Sequence, residues 1–333
     1  TPKLLPIKNW TEIGDKIMKI TILGCGAFGT AIASTFTKKE VDLWIWSKFE
    51  KELIEAKKDY KTINISTSLE ESCRSSDLII VAVPINFIKS TILELKPFYN
   101  NEDILIASKG IEVNSYQFAH EIITSILGEI KLGIISGGSF AIDMKNKNIL
   151  GLTLATKNES IKEKVQKYME SDVIKIQYTK DLIGVPICSA IKNVMAIGFG
   201  ILDGASLPDS SKFLYLTNAI YEIKYLIEVL GGDKNTIMSY AGIDDIMMTC
   251  TSSTSRNYTL GKLIGQNESE DTIEKYKKET TIEGLGTCKA IHNLAIEKEI
   301  NLPLTNTIYK ILYEKASNQE LLNTLKENFT NFK

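Results

Sequence analysis

The sequence predicts an α/β fold in which a doubly wound, mostly parallel sheet precedes an all-α C-terminal domain. Three observations point there. Short β-branched runs alternate with longer helical patterns as far as Lys180, the β-rich runs then cease, and a glycine-rich turn joins the first run to the first helix. At 333 residues the chain exceeds the usual ceiling for one compact core. Two domains are therefore expected, at 18–180 and 181–333, behind an N-terminal segment of residues 1–17.

That segment, TPKLLPIKNWTEIGDKI, lacks the apolar centre of a signal peptide and ends where Met18 reads as a natural start, so it is expected to be an extension outside the fold. Strands are then expected at 19–24 (KITILG), 41–47 (VDLWIWS), 62–67 (TINIST), 77–84 (DLIIVAVP), 103–110 (DILIASKG), 132–138 (LGIISGG), 151–156 (GLTLAT) and 173–179 (VIKIQYT). Between them, segments such as TAIASTFTKK and SILGEI carry helix formers at the 3.6-residue period. Parallel strands need crossover connections, and helices supply them while covering both faces of the sheet. Beyond Lys180 the pattern becomes helices joined by loops containing Gly, Asn, Ser and Pro. Within it, the charged stretch 265–279 (GQNESEDTIEKYKKE) reads as a solvated helix face.

Composition narrows the function classes. A 44% hydrophobic share, 24% charged residues and a formal charge of −2 are those of a soluble globular protein. No basic block interleaved with aromatics marks a nucleic-acid partner, and the longest apolar run, Leu78 to Ile85, is far short of the roughly 20 residues of a membrane span. Five scattered cysteines without a CxxC pair fit neither a disulfide framework nor a zinc site, and a reducing cytoplasm suits them. The two histidines, His120 and His292, stand at helical spacing beside apolar residues and read as helix-surface residues, so no metal site is expected.

Gly24-Cys25-Gly26-Ala27-Phe28-Gly29 is a GxGxxG match placed between the first strand and the first helix. Gly24 permits the tight turn, Gly26 lets backbone approach a pyrophosphate, and Gly29 lets the helix pack closely, while amides at the helix N-terminus face the phosphates. The N-terminal domain is thus expected to be Rossmann-like and to bind NAD or NADP. An acidic residue at the end of the second strand would accept the ribose 2′-hydroxyl of NAD, but Trp46-Ser47-Lys48 stands there. Lys48 suits a 2′-phosphate and mildly favours NADPH, whereas Glu50 could reach the ribose by a different loop path.

Four further features carry chemistry. Ser108-Lys109-Gly110 ends a parallel strand, at the edge where ligands of such sheets bind, and Gly137-Gly138-Ser139-Phe140-Ala141 ends the next. Thr249 to Asn257 (TCTSSTSRN) offers Ser255, Arg256 and Asn257 to a phosphate through a guanidinium fork and hydrogen-bond donors. Lys192 is set in SAIKNVMAIGFG, where Ala190, Val194, Ile197 and Ile201 would form one apolar helix face and Ala196, Gly198 and Gly200 admit close neighbours. Burial there would lower its pKa, which makes an ammonium a proton-transfer group near neutral pH, and a snorkelling or salt-bridged lysine is the structural alternative.

Together GCGAFGTA, ASKG, SGGSFA, AIKNVMAIGFG, AGIDDIMMTCTSSTSRN and IEGLGTCKAI resemble the bacterial NAD(P)-dependent glycerol-3-phosphate dehydrogenases, in order and spacing, from Met18 to the C-terminus. The resemblance implies reversible hydride transfer between NAD(P)H and dihydroxyacetone phosphate, supplying sn-glycerol 3-phosphate for phospholipid synthesis, with the active site between the two domains. It implies catalytic roles for Lys192, which transfers the proton, and Lys109, which contacts substrate and cofactor. Gly137, Ser139, Asp245, Ser255, Arg256 and Asn257 match substrate positions. Ala27, Phe28, Lys48, Ala141, Arg256, Ile282 and Glu283 match cofactor positions. A small-molecule substrate, no nucleic acid and a homodimer accord with it.

Two departures stand out. Gly138 replaces the family's usual proline, which would loosen a turn that shapes the substrate pocket, and ASLPDSSKF (205–213) replaces a glycine-rich segment expected in the wall of the site. The competing readings are a reductase of the β-hydroxyacid or 6-phosphogluconate dehydrogenase type, which shares the domain plan, and a non-catalytic dinucleotide-binding sensor. The SRN sequence after the TCT turn weighs against the first, and retention of Lys109, Lys192 and Arg256 against the second.

Overall fold

The computed structural model describes residues 17–36 and 40–327, so residues 1–16 of the expected extension lie outside the described residues. The sheet half of the chain runs β1 (Met18–Leu23), α1 (Ala27–Phe36), β2 (Val41–Trp46), α2 (Glu50–Asp59), β3 (Asn64–Ser66), α3 (Leu69–Cys73), β4 (Leu78–Val81) and α4 (Ile85–Leu95). It continues through β5 (Asp103–Ile106), α5 (Ala119–Leu127), β6 (Leu132–Ser136), α6 (Ala141–Lys145), β7 (Leu150–Thr156), α7 (Glu159–Tyr168) and β8 (Ile174–Thr179). All eight expected strands are present. They form one sheet of order β3-β2-β1-β4-β5-β6-β7-β8, parallel throughout except for the antiparallel β6–β7 pair. Every residue of β4 and β5 is buried, as central parallel strands covered on both faces require.

The order reverses between β1 and β4, and the chain leaves β1 there through the glycine turn. A side chain on Gly24, whose φ is +116°, would meet the Ala82 carbonyl at 2.9 Å, so the turn is pressed against the end of β4. This is the crevice in which doubly wound sheets bind ligands. One helix expectation is half met. Within SILGEI only Ser125 to Leu127 are helical, because Gly128 leaves α5 with a φ of +85°.

The helical half comprises α8 (Gly184–Gly204), α9 (Asp209–Val229), α10 (Asp245–Thr251), α11 (Arg256–Gly265), α12 (Glu270–Glu279), α13 (Glu283–Glu297), α14 (Pro303–Tyr313) and α15 (Gln319–Lys326). No residue of α12 is buried, in keeping with its charged sequence. The expected apolar stripe on α8 is instead burial on all sides from Gly184 to Leu202, because α9, α10, α11, α13 and α14 all pack around it. The helix is long and apolar enough to cross a membrane, yet 94% of its apolar window lies inside the fold.

Glycines set how closely α8 meets α11. A Cβ on Gly261 or Gly265 would run into the carbonyl oxygens of Ile197 or Ile201, and one on Gly200 or Gly204 into those of Tyr258 or Lys262. Backbone therefore touches backbone along two helical turns, and α11 is locked in register with α8. That contact brings the N-terminus of α11 to the level of Lys192.

Candidate active site

Lys192 is 4% exposed and its ammonium donates to Oδ1 of Asp245, the fully buried first residue of α10. Burial lowers the lysine pKa to about 8. The Asp245 carboxylate opposes that shift, Lys109 adds to it, and Glu283 opposes it more weakly. Thr249, one turn along α10, donates to the same Asp245 oxygen at 3.3 Å, and Oδ2 of Asp245 has no partner among the described residues. The burial expected of Lys192 is thus present, together with a carboxylate that lets a charged form persist there.

An amide network extends from the next residue. Asn193 Nδ2 donates to Glu283 Oε2 at 3.1 Å, Asn257 Nδ2 donates to Asn193 Oδ1 at 3.0 Å, and the Gly284 amide donates to Asn257 Oδ1 at 2.9 Å. The N-termini of α11 and α13 are in this way tied to α8 one residue beyond Lys192. Ser255 caps α11 by accepting from the Tyr258 amide at 3.3 Å. Arg256, the first helical residue, is exposed and makes no ion pair among the described residues. Ile282 is buried at the cap of α13, and Glu283 follows as its first residue.

On the sheet side, Lys109 lies just beyond β5, and its Nζ sits 4.7 Å over the ring of Phe28, the second residue of α1. The two residues expected at the cofactor are therefore neighbours. Gly137 admits no side chain, since a Cβ would run into the carbonyl of Gly151 and stand 2.8 Å from Leu152 Cα. Ser139 is buried, its Oγ without a partner among the described residues, and Ala141 begins α6. The turn is not loosened by Gly138. Its amide donates to the Tyr240 carbonyl at 3.2 Å, and the Asp244 carboxylate occupies the space that a side chain at 138 would need. Burial and the neighbouring Asp245 charge raise the Asp244 carboxyl pKa against the pull of Lys192.

The glycine turn fits a dinucleotide. Gly24 needs its positive φ, a Cβ on Gly29 would strike the Gly24 carbonyl, and a Cβ on Gly26 would meet nothing within 4 Å, so the backbone there is open to an approaching pyrophosphate. Beyond β2, Lys48 is exposed and pairs with Glu94 at 3.4 Å. Ser47 is buried and donates to Glu52 at 2.7 Å, and the Glu52 carbonyl accepts from the Cys25 thiol.

Sequence reasoning missed Glu52, Asn193, Thr249 and Asp244. Asn193 had a readable signal, a second polar residue beside Lys192 in an apolar helix. Thr249 had one too, standing one helical turn from Asp245 at the start of the 249–257 stretch, whereas Glu52 and Asp244 depend on loop paths and packing that spacing alone does not reveal. The 205–213 segment is corrected: it turns α8 into α9, about 20 Å along the helix from Lys192, and is mostly exposed. His120 and His292 lie on α5 and α13 but are half-buried rather than plain surface residues, and His292 stacks on Tyr309 at 3.6 Å. No metal-binding group of His, Cys, Asp or Glu occurs among the described residues, and all five thiols are buried and unpaired.

Comparison with known proteins gives a consistent result. Residues 19–162 match the family profile described as the NAD-dependent glycerol-3-phosphate dehydrogenase N-terminus, and residues 181–323 match the corresponding C-terminus. A glycerol-3-phosphate dehydrogenase [NAD(P)+] of Wolbachia pipientis wMel is 34% identical over 325 residues, covering 92% of this chain and 99% of that protein. One from Staphylococcus aureus strain USA300 / TCH1516 is 31% identical over 326 residues, covering 93% and 98%. The crystal structure of a glycerol-3-phosphate dehydrogenase from Coxiella burnetii superposes with a TM-score of 0.87 at 27% identity, over 94% of this chain and 99% of that one.

Proposed function

The chain belongs to the NAD-dependent glycerol-3-phosphate dehydrogenase family, and from that premise we propose how its own residues carry out the reaction. The protein is an NAD(P)-dependent oxidoreductase that interconverts dihydroxyacetone phosphate and sn-glycerol 3-phosphate, the product serving phospholipid synthesis. The observation that carries the residue assignments is the sealed Lys192–Asp245 pair, set between the α11 N-terminus and the strand end bearing Lys109. The glycine turn, Ala27, Phe28, Ala141, Ile282 and Glu283 would hold the coenzyme. When bound, its nicotinamide supplies or accepts the hydride.

In the reducing direction Lys192 gives a proton to the carbonyl oxygen as that oxygen gains charge, and in the oxidising direction it takes the proton back. Asp245 holds the ammonium in place, with Thr249 fixing the carboxylate. Lys109 adds positive potential where the oxyanion develops. Arg256, with Ser255, the remaining amide hydrogen of Asn257 and the α11 N-terminus, receives the phosphate, while Gly137 and Ser139 bring backbone and hydroxyl to the substrate from the sheet side. Held from both sides, the carbonyl is presented in one orientation.

Both coenzymes belong to the reading, with NADPH favoured because Lys48 can exchange an exposed partner, Glu94, for a 2′-phosphate. Glu52, hydrogen-bonded to Ser47 near the glycine turn, supports NAD. The functional unit is taken as two domains meeting near residue 180, acting as a homodimer in the cytoplasm, where five unpaired thiols are stable. Steady-state reduction of dihydroxyacetone phosphate with NADH and NADPH in parallel tests substrate and coenzyme together. Turnover on a 3-hydroxyacid panel but not on glycerol 3-phosphate would hand the function to the β-hydroxyacid type, and coenzyme binding without any turnover would hand it to the sensor.

A further inference from the structure

A small cavity separates the two lysine-bearing segments. Ser108, Lys109 and Gly110 line it from the end of β5, His120 from α5, and Pro186 and Ser189 from α8. Its volume of about 10 Å³ is room for a single water molecule. Two of its side chains carry a buried polar atom without a partner among the described residues, Nδ1 of His120 and Oγ of Ser189. The amides of Lys109 and Gly110 donate no hydrogen bond among the described residues. Each such atom loses its hydration without compensation if it stays unsatisfied, and a water with two to four polar neighbours restores it.

The chemistry of the walls selects the occupant. Lys109 excludes a second cation, the roughly 10 Å³ of room suits a single water, and burial lowers the His120 pKa, which favours the neutral ring that can accept or donate at Nδ1. The serine hydroxyl does both as well. We propose that the cavity binds one ordered water between His120 Nδ1 and Ser189 Oγ, and that this water fixes Lys109 and Gly110 at the strand end, so that His120 and Ser189 are positioning residues for Lys109. This rests on the reading of Lys109 as the cation that faces substrate.

The consequence reaches the proton-transfer group. Ser189 precedes Lys192 by three residues on α8 and therefore lies on the same side of the helix. The water thus links the turn that carries Lys192 to the strand end that carries Lys109, and sets the spacing of the two ammonium groups. Lys109 is one of the charges that lower the Lys192 pKa, while Asp245 and Glu283 raise it. Ser108 itself stays anchored to the Val81 and Val83 carbonyls, so the water governs Lys109 and Gly110 beyond it, and a Lys109 no longer held there would bring less positive charge to bear on Lys192.

The test uses the full-length chain. A high-resolution crystal structure of the wild type is expected to show a water within hydrogen-bond distance of both His120 Nδ1 and Ser189 Oγ. Ser189→Ala and His120→Phe, with melting temperature recorded to confirm folding, are each expected to raise KM for dihydroxyacetone phosphate about fivefold. They should also move the alkaline limb of the kcat profile to higher pH, and His120→Asn, which restores a polar atom near the Nδ1 position, should return both towards wild type. A dry cavity, or two folded variants with wild-type KM and pH limb, overturns the proposal. A wild-type enzyme inert towards dihydroxyacetone phosphate would instead overturn the proposed function, and the crystallographic water alone would then decide the hydration site.

Discussion

Lys192 and Asp245 form an ion pair withdrawn from water, the lysine 4% exposed and the aspartate not exposed at all. A buried pair of this kind gives little net stability, because desolvating two charges offsets most of their attraction. In the proposed mechanism its value lies in holding an ammonium poised to lose its proton. Lys192→Ala is expected to lower kcat by about 10² to 10⁴ while coenzyme binding, monitored by NADPH fluorescence, stays near wild type. The variant leaves Asp245 as an unpaired buried charge, so Lys192→Ala with Asp245→Asn serves as the folding control. Near-normal turnover in a folded variant would show that another group moves the proton.

The same pair dictates opposite pH profiles for the two directions. With its pKa lowered to about 8, Lys192 is protonated below that value and neutral above it. Reduction of dihydroxyacetone phosphate needs the acid form, so its kcat should fall as pH rises through about 8. Oxidation of glycerol 3-phosphate needs the base form, and its kcat should rise through the same region. Profiles that bend in the same sense in both directions would remove Lys192 from the proton-transfer step.

A second buried titratable group governs stability rather than chemistry. Glu222 of α9 is fully buried and accepts from the amides of Leu304 and Thr305 at 2.7 and 2.9 Å and from the Thr305 hydroxyl at 2.6 Å, capping α14 from another helix. Burial pushes its carboxyl up to about 7 against the pull of those three hydrogen bonds. Between the ordinary value of 4.5 and about 7 the folded state binds more protons than the unfolded state. This contribution is complete below 4.5 and is lost as pH rises through 7, amounting to about 3 kcal/mol. Glu222→Gln removes the titration, so wild-type stability from urea melts should drop relative to the variant across that window. Parallel curves would mean that Glu222 does not change protonation on folding.

Much of this was legible before any coordinates. The eight strands announced themselves through β-branched runs, and the glycine turn could be placed between the first strand and the first helix, where the structure has it. Lys192 stood out because a charge in an apolar helix needs a reason. What stayed hidden arises from approach in three dimensions. Asp244 fills the room left by Gly138, which lies more than a hundred positions away in the chain, and Glu52 reaches Ser47 only because α2 begins where it does. Burial of α8 on every side also depends on five other helices, and no window of its own sequence contains them.

The proposed preference for NADPH rests on one exposed charge. Among the described residues Lys48 pairs with the exposed Glu94 alone, which an approaching ribose 2′-phosphate could displace, and a charge-assisted hydrogen bond to that phosphate would carry discrimination of about tenfold or more. Lys48→Glu is expected to reduce the ratio of kcat/KM for NADPH over NADH by at least that factor and to leave KM for dihydroxyacetone phosphate unchanged. A ratio insensitive to this reversal of charge would shift the recognition to Glu52 and Ser47.

The packing of α8 on α11 makes the strongest stability prediction and couples it to the site. A methyl group at Gly261 would enter the space of the Ile197 carbonyl, and backbone at both ends of that contact leaves no flexible side chain to yield. Gly261→Ala should therefore destabilise the fold by about 3 kcal/mol or force the helices apart. Separation would draw Asn257 away from Asn193 and move Arg256 relative to Lys192, because all four belong to these two helices. A folded Gly261→Ala protein is accordingly expected to raise KM for dihydroxyacetone phosphate more than it changes coenzyme affinity. The control is Gly128→Ala, at the end of α5, where a Cβ meets nothing within 4 Å and the cost comes from the positive φ alone. If both variants lose stability but leave KM alone, the glycine contact serves the fold without setting the phosphate grip.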